Sequence, residues 1–275
     1  MNTAHIRPAA VAGMFYPGRR DELASTVAML LAQVKPAAMP AGSITPKALI
    51  VPHAGYIYSG AVAASAYAAV APLRGRIRRV VLLGPAHRVA LSGLALPQAE
   101  AFATPLGTVD IDQGAIASLQ GLPQVRRSDV VHAEEHSLEV HLPFLQTVLG
   151  DFQLVPLVVG DATPEEVAEV LEHLWGGAET LIVISSDLSH YLPYAAAQKL
   201  DRDTAAHILA GEQLTEYNQA CGALPIDGLL LCARRHGLSP HLLDLRNSGD
   251  TPAGDHDRVV GYGAFAFSEE PVDEA

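Results

Sequence analysis

The stretch Leu181-Ile182-Val183-Ile184, followed at once by Ser185-Ser186-Asp187-Leu188-Ser189-His190, decides the fold class of this 275-residue chain. Its first four residues are apolar without alternation, which is typical of a strand buried on both faces of a sheet. Three other apolar runs have the same character and also end in turns that contain Gly, Pro, His or Asp: Ala48–Val51, Val80–Leu83 and Val155–Val159.

Helical patterns separate these strands. The sequence Thr163-Pro164-Glu165-Glu166 is a capping box with Pro at the first helical position, and it starts a helix that ends at about Trp175. The other predicted elements are the helices Asp21–Val34, Ser59–Val70 (capped by Ser59), Tyr194–Leu209 and Asp227–His236, and the strands Leu242–Leu245 and Val259–Phe267. This alternation predicts an α/β fold, a three-layer α/β/α sandwich with a mostly parallel central sheet.

The chain is predicted to form one domain. Neither an internal repeat nor a Ser/Gly-rich linker interrupts the order of elements, and Gly42–Pro46 is predicted to be a loop. We therefore expect a single domain over residues 1–275, with a core from about 7 to 267 and an acidic tail at 268–275.

Composition excludes several classes of protein. Hydrophobic residues make up 49% and charged residues 17%, which is too apolar for a disordered chain, and the net charge of −12 argues against a nucleic-acid partner. The longest apolar stretches, such as Val62–Leu73, fall short of the roughly 20 residues that a membrane-spanning helix needs. Pro8, Gly13 and Pro17 interrupt any signal peptide. We expect a cytoplasmic protein with no membrane partner and with reduced cysteines.

Histidines and an aspartate follow three of the predicted strands. His53 comes after the first, His87 after the second, and Asp187 and His190 after the strand quoted above. Since the carboxyl ends of parallel strands form one edge, we expect these side chains to share a site. Two imidazoles and one anionic ligand predict a metal site, either zinc-like or of the non-haem iron type.

The third ligand is either Asp187 or Cys221. Cys221 lies in a Gly/Pro-containing turn before a helix, and both a helix N-terminus and a bound metal favour the thiolate. Cys232 lies on an apolar helix face and is predicted to be a buried thiol. Ser185 and Ser186 lack the Gly-x-Ser-x-Gly surroundings of a nucleophile, and the sequence contains no phosphate-binding glycine loop.

The segment from His132 to His141 is rich in histidine and glutamate. If Ser137 caps the following helix, Glu135 and His136 lie at its N-terminal rim and can point into the crevice. His141 is interpreted as structural. The histidines without a preceding strand are predicted to lie on the surface: His5, His132, His173, His207, His236, His241 and His256.

Taken together, these residues resemble the Memo family, the B component of the AmmeMemoRadiSam system. The likeness extends from about Arg7 to Phe267. It rests on Arg7-Pro8-Ala9, Ala12-Gly13-Met14-Phe15-Tyr16-Pro17, Pro52-His53-Ala54-Gly55-Tyr56, Tyr58-Ser59-Gly60, Leu83-Gly84-Pro85-Ala86-His87, the segment from Glu134 to Pro143, Ser185-Ser186-Asp187-Leu188-Ser189-His190-Tyr191, Cys221-Gly222 and Gly261-Tyr262-Gly263.

The resemblance implies a fold similar to class III extradiol dioxygenases, whose iron is held by two histidines and a glutamate. It implies that His53, His87 and Cys221 are metal ligands and that His190 is an acid/base group beside Asp187. A cysteine in place of the carboxylate argues against ring cleavage itself. Tyr56, Glu135 and His136 are the predicted substrate contacts.

The expected activity is oxygen-dependent redox chemistry on a small molecule, with Fe(II) or copper as the metal. One alternative is a non-enzymatic protein that binds a peptide or a partner in the same crevice. The other is a zinc hydrolase with the same ligands. The resemblance also implies further components of the AmmeMemoRadiSam system as partners, an Ammecr-domain protein and a radical SAM protein.

Overall fold

The computed structural model describes residues 5–34, 45–214 and 218–269. In its first half the chain forms β1 (Ile6–Arg7), α1 (Arg20–Ala32), β2 (Ala48–Val51), α2 (Tyr56–Val70), β3 (Arg79–Pro85), β4 (Leu94–Leu96), β5 (Ala101–Thr104), β6 (Gly107–Asp110), α3 (Gln113–Ala117), β7 (Val125–Arg127) and α4 (Asp129–Ala133). There follow α5 (Leu142–Leu149), β8 (Gln153–Val159), α6 (Pro164–Leu174), β9 (Thr180–Ser185), β10 (His190–Leu192), α7 (Tyr194–Ala210), α8 (Ala223–Arg235), β11 (Leu238–Asn247) and β12 (Val259–Glu269).

A nine-stranded sheet forms the centre of the fold. Its order is β10-β12-β2-β9-β3-β8-β4-β7, with β11 paired to β12. The four strands predicted from unbroken apolar runs are neighbours, and β2, β9, β3 and β8 are parallel to one another. The outer pairs β11/β12, β12/β2 and β4/β8 are antiparallel, so the predicted parallel order holds in the middle of the sheet. Residues 248–258 join β11 to β12, and this segment is shorter than the crossover of about a dozen or more residues that parallel strands need.

Helices cover both faces of this sheet, as predicted. Every residue of β2 and of β9 is buried, which requires cover on each side. One group of helices consists of α1, α2 and α5, with α2 against β2 and β12. In the other group, α6 and α8 pack on each other, and α8 contacts β3 and β9. Gly228 permits that approach, because a Cβ there would lie 2.5 Å from Cγ1 of Val167.

Several element boundaries differ from those predicted. The capping box at Thr163 is confirmed, since Thr163 and Glu166 exchange hydrogen bonds of 3.2 and 2.8 Å. Ser59 does not cap α2, which begins at Tyr56, and its hydroxyl donates to the carbonyl of Ala54 at 2.9 Å. Helix α8 begins at Ala223 rather than Asp227, which brings its start close behind Cys221.

The sequence patterns did not reveal a small second sheet, β1-β5-β6. Its strands are two to four residues long, too short for periodicity to show. Part of the predicted loop Gly42–Pro46 and most of the predicted tail at 268–275 lie outside the described residues.

One helical stretch, Tyr56–Leu73, is long and apolar enough to cross a membrane. Buried positions inside the protein account for 67% of it. Burial of that extent is also found in core helices, so the stretch is weak support for a membrane span.

Candidate metal centre

Two strands that flank β9 bring the predicted histidines together. β2 and β3 both neighbour β9, and His53 and His87 each follow the end of one of these outer strands by two residues. Their ring centroids lie 5.1 Å apart. The expectation that strand ends would assemble these two imidazoles is therefore confirmed.

His136 adds a third ring from the turn between α4 and α5. Its centroid lies 4.7 Å from that of His87 and 5.5 Å from that of His53. One ring nitrogen from each residue lies within 4.8 Å of the other two, so this group of donors could hold a metal ion. We call His53, His87 and His136 the imidazole cluster. His53 is buried, His136 is half-buried and His87 is exposed, so the cluster is open to solvent on one side.

Glu135 orients the ring of His87. Its carboxylate accepts the backbone N–H of His87 at 2.6 Å and lies 3.0 Å from Nδ1 of the same residue. It also accepts the backbone N–H groups of His136 and Ser137, each at 2.9 Å. Burial alone would raise the pKa of Glu135, but these hydrogen bonds outweigh it and lower the pKa to about 2. An ionised carboxylate only accepts, so Nδ1 of His87 carries a proton and Nε2 is the ring nitrogen that does not contact Glu135.

His53 is held from two sides. Its backbone N–H donates to Asp187 at 2.7 Å, and its Nδ1 lies 2.6 Å from the hydroxyl of Ser185. Its other nitrogen, Nε2, lies 3.4 Å from the sulfur of Cys221. Burial, followed by the charge of His87, keeps the pKa of His53 well below its usual value, so the ring is neutral at pH 7.

His136 has a buried nitrogen without a hydrogen bond. Nδ1 lies 3.3 Å from Glu135 yet finds no hydrogen-bond partner among the described residues. Burial and the charge of His87 lower the pKa of His136 to about 4. The neutral rings of His53 and His136, the latter with an unpartnered buried nitrogen, fit a metal cation.

The sulfur of Cys221 lies beside the cluster but is not a member of the group within 4.8 Å. It accepts the backbone N–H of Asp187 at 3.3 Å. Burial, followed by the charge of Asp187, raises the pKa of Cys221 to about 12, whereas the sequence predicted that the start of α8 favours the thiolate. Cys232 is fully buried, and both thiols are free, as predicted.

Asp187 is buried, and its carboxylate faces the backbone of the residues that follow β2. It accepts the backbone N–H of His53, and the N–H of Ala54 also interacts with it. Burial raises the pKa of Asp187 to about 7, although these N–H groups oppose the rise. The carboxylate thus fixes the loop that carries His53.

His190 begins β10 at the exposed rim, near enough for its charge to act on His53. Partial burial of its ring lowers the pKa of His190, and the Leu188 carbonyl acts in the opposite direction. The next residue, Tyr191, is 62% exposed and has a φ of 59°, a left-handed conformation that a tyrosine rarely adopts. The roles predicted for His190 and Asp187 in catalysis stay predictions.

Two of the predicted substrate contacts point into the protein. The hydroxyl of Tyr56 donates to the carbonyl of Val140 at 2.7 Å, and Glu135 is only 2% exposed. Ser137 does not cap a helix, because its hydroxyl donates to the carbonyl of Pro85 at 2.9 Å. His136, the third predicted contact, belongs to the imidazole cluster. Substrate binding by these residues stays a prediction.

The prediction that His132 lies on the surface was wrong. His132 is 2% exposed, and its Nε2 lies 2.9 Å from the carbonyl of Ala95. Apolar residues on both sides of His132 in α4 could have signalled this burial. Of the other histidines predicted there, His5, His173, His236 and His256 are exposed, and His207 and His241 are partly buried.

A cavity of about 460 Å³ opens beside the cluster, within the size range of small-molecule sites. Its lining includes His87 and Cys221, the charged side chains of Arg88 and Asp161, and the apolar Leu224.

The sequence comparisons with known proteins point to one family. The family described as Memo-like protein matches residues 7–266. A MEMO1 family protein of Methanopyrus kandleri is 36% identical, covering 95% of this chain and 98% of the relative. One from Aquifex aeolicus is also 36% identical, covering 95% and 99%.

Among solved structures, an uncharacterized protein of Escherichia coli K12 has a similar fold. The TM-score is 0.51 at 13% identity, covering 80% of this chain and 99% of that protein. The family match over almost the whole length, with relatives at more than a third identity, shows that the chain belongs to the Memo family.

Proposed function

We propose that the protein binds one divalent or redox-active metal ion at the imidazole cluster and performs oxygen-dependent redox chemistry on a small molecule. The observation that carries the proposal is the convergence of His53, His87 and His136, with ligand atoms within 4.8 Å of one another. Imidazole suits iron, copper and zinc, and a nearby thiol adds affinity for copper and zinc.

The protein residues around the cluster have separate tasks in this proposal. Ser185 and Glu135 hold the first two rings through Nδ1, and Asp187 fixes the loop of His53. Cys221 contacts Nε2 of His53 and is a candidate for a further ligand. When bound, Fe(II) or copper would supply electron transfer to oxygen, whereas zinc would supply only Lewis acidity.

The substrate would occupy the cavity beside His87. Its volume suits a small molecule, and Arg88 supplies a cation for an acidic group on that molecule. His190 would accept a proton from a substrate hydroxyl, because its lowered pKa keeps the imidazole neutral at pH 7. Tyr191, exposed next to it, would contact the substrate at the rim.

The test is metal analysis of protein purified without oxygen, followed by titration of the metal-free protein with Fe(II), Cu(I) and Zn(II). We expect one ion per chain. His87→Ala should reduce affinity by more than the 10–100-fold that loss of an outer-shell partner costs, and should alter unfolding free energy by less than about 1 kcal/mol. His173→Ala, an exposed histidine on α6, is the matched control.

Equal metal affinity in wild type and His87→Ala would overturn the proposed site. Tight zinc binding without affinity for iron or copper would overturn the redox part and favour the zinc hydrolase. A protein that binds none of the three ions would contradict the metal site altogether and favour the non-enzymatic binding protein.

A further inference from the structure

Ser185 ends β9, and its hydroxyl joins three buried partners. Oγ lies 2.6 Å from Nδ1 of His53, 2.8 Å from Nε2 of His141 and 2.6 Å from the carbonyl oxygen of Ser137. None of these four residues is more than 2% exposed. Because their polar atoms are shielded from bulk water, they must satisfy one another.

The direction of these hydrogen bonds follows from counting protons. The carbonyl of Ser137 can only accept, and it takes the single proton of the Ser185 hydroxyl. The Ser185 oxygen therefore offers only lone pairs to the two rings. Both ring nitrogens that face Ser185 must then carry protons, Nδ1 on His53 and Nε2 on His141.

The contact between Tyr67 and His141 independently indicates which nitrogen of His141 carries the proton. Its hydroxyl lies 2.8 Å from Nδ1 of His141. Burial raises the pKa of Tyr67 and lowers that of His141 to about 3, so the phenol keeps its proton and the ring is neutral. Tyr67 donates to Nδ1 of His141, and the ring proton of His141 lies on Nε2, facing Ser185.

We infer that Ser185 is the positioning residue of His53: it fixes the Nδ1-protonated tautomer and so presents the Nε2 lone pair to the imidazole cluster. The inference rests on the proposed function, since a bound metal ion needs that lone pair. Ser185 does for His53 what Glu135 does for His87, with a neutral oxygen in place of a carboxylate. His141 and Tyr67 act through Ser185, because they satisfy and orient its hydroxyl.

The experiment compares Ser185→Ala with Ser268→Ala. Ser268 is also a fully buried strand serine whose hydroxyl meets a histidine, with Oγ 3.1 Å from Nε2 of His241. Imidazole ¹⁵N NMR of the metal-free protein at pH 8 reports which nitrogen carries the proton, and the His53→Gln variant identifies the signals of His53. Titration with Zn²⁺ then measures affinity.

We expect Nδ1–H on His53 in wild type and in Ser268→Ala. In Ser185→Ala the Nε2–H form should appear, and Zn²⁺ affinity should fall about 10–100-fold. Ser185→Thr, which keeps the hydroxyl, should restore both readouts, which a general packing defect would not allow.

A wild-type His53 protonated on Nε2 would overturn the inference without any variant, so a Ser185→Ala protein that fails to fold leaves the test intact. An unchanged tautomer in Ser185→Ala would overturn it too. If the tautomer follows Ser185 but wild type binds neither Zn²⁺, Fe(II) nor Cu(I), the proposed function is wrong while the tautomer assignment stands.

Discussion

Two polar clusters lie near each other in this protein, and they differ in how many of their polar atoms already have hydrogen-bond partners. The first, which we call the anchor cluster, consists of Arg7, Tyr16 and Glu139. The carboxylate of Glu139 accepts Arg7 at 2.6 Å, Tyr16 at 2.5 Å and two backbone N–H groups at 2.7 and 3.0 Å. The second is the imidazole cluster, where one nitrogen from each of three rings converges and the buried Nδ1 of His136 has no hydrogen-bond partner among the described residues.

The two clusters begin from similar sequence, since Glu135 and Glu139 are four residues apart and both buried. Arg7 also donates to the carbonyls of His132 and Glu135, each at 2.7 Å, so every charge of the anchor cluster is matched. A cluster whose polar atoms are all hydrogen-bonded cannot bind a further ligand. A neutral imidazole nitrogen without a hydrogen-bond partner can still bind one. From this difference we expect the anchor cluster to contribute to stability, whereas the imidazole cluster could hold a metal ion.

The largest expected effect is on the anchor cluster. Glu139→Gln would leave Arg7 as a buried cation without a counter-charge, and loss of one partner of a buried ion pair costs about 3–5 kcal/mol. Urea denaturation measures the change in unfolding free energy. Glu134→Gln, at an exposed neighbouring glutamate, is the control and should change it by less than about 0.5 kcal/mol.

If Glu139→Gln lowered the unfolding free energy by less than about 1 kcal/mol, the anchor cluster would not be a main source of stability and the contrast between the two clusters would be wrong. The comparison would also fail if Glu139→Gln and His87→Ala destabilised the protein equally.

The sequence predicted the central strands and the meeting of His53 with His87 for a physical reason. A fully buried strand reads as an unbroken apolar run, and parallel neighbours put their carboxyl ends at one edge. His136 follows no strand, so that rule could not assign it to the cluster. Its neighbour Glu135 accepts the backbone N–H of His136 and also contacts the backbone N–H and Nδ1 of His87, which is 48 positions away. That long-range contact brings His136 to the cluster and leaves no local pattern in the sequence.

The sequence argues against Ser185 as a nucleophile, but it does not predict the contacts of Ser185 with two histidines. His141 is separated from it by 44 positions, and long-range hydrogen bonds of this kind leave no local pattern. Likewise, burial raises the pKa of Cys221, and the sequence around this residue does not show that burial.

The next smaller expected effects concern the two cysteines, one beside the imidazole cluster and one buried in α8. Cys221→Ser should reduce Zn²⁺ affinity by more than the roughly 10–100-fold that loss of an outer-shell partner costs if the thiol is a ligand, with little effect on stability. Cys232→Ser would bury a hydroxyl inside α8, where the thiol contacts the Ala168 carbonyl, and should cost about 1–3 kcal/mol without changing Zn²⁺ affinity. Titration and urea denaturation of both variants give the two readouts. Unchanged affinity in Cys221→Ser would show that the three imidazoles hold the ion without sulfur.

The smallest expected effect concerns His132, which belongs to neither cluster; its backbone carbonyl accepts a hydrogen bond from Nε of Arg7. Burial lowers its pKa from 6.5 to about 4, so the unfolded chain takes up the proton more readily than the folded protein. The stability that this residue contributes is present above pH 6.5 and is lost as the pH falls from 6.5 toward 4. At pH 6 the loss is below about 1 kcal/mol.

His132→Gln should remove that pH dependence and keep a donor for the Ala95 carbonyl, which His132 serves through Nε2 at 2.9 Å. Unfolding free energies measured between pH 8 and pH 5 should therefore converge, with wild type losing more stability than the variant as the pH falls. His53, His136 and His141 also have lowered pKa values and contribute equally to both proteins, so they cancel in the difference. Parallel curves would mean that His132 is protonated in its buried position, where the Ala95 carbonyl and nearby Asp129 and Glu135 would have to compensate the charge.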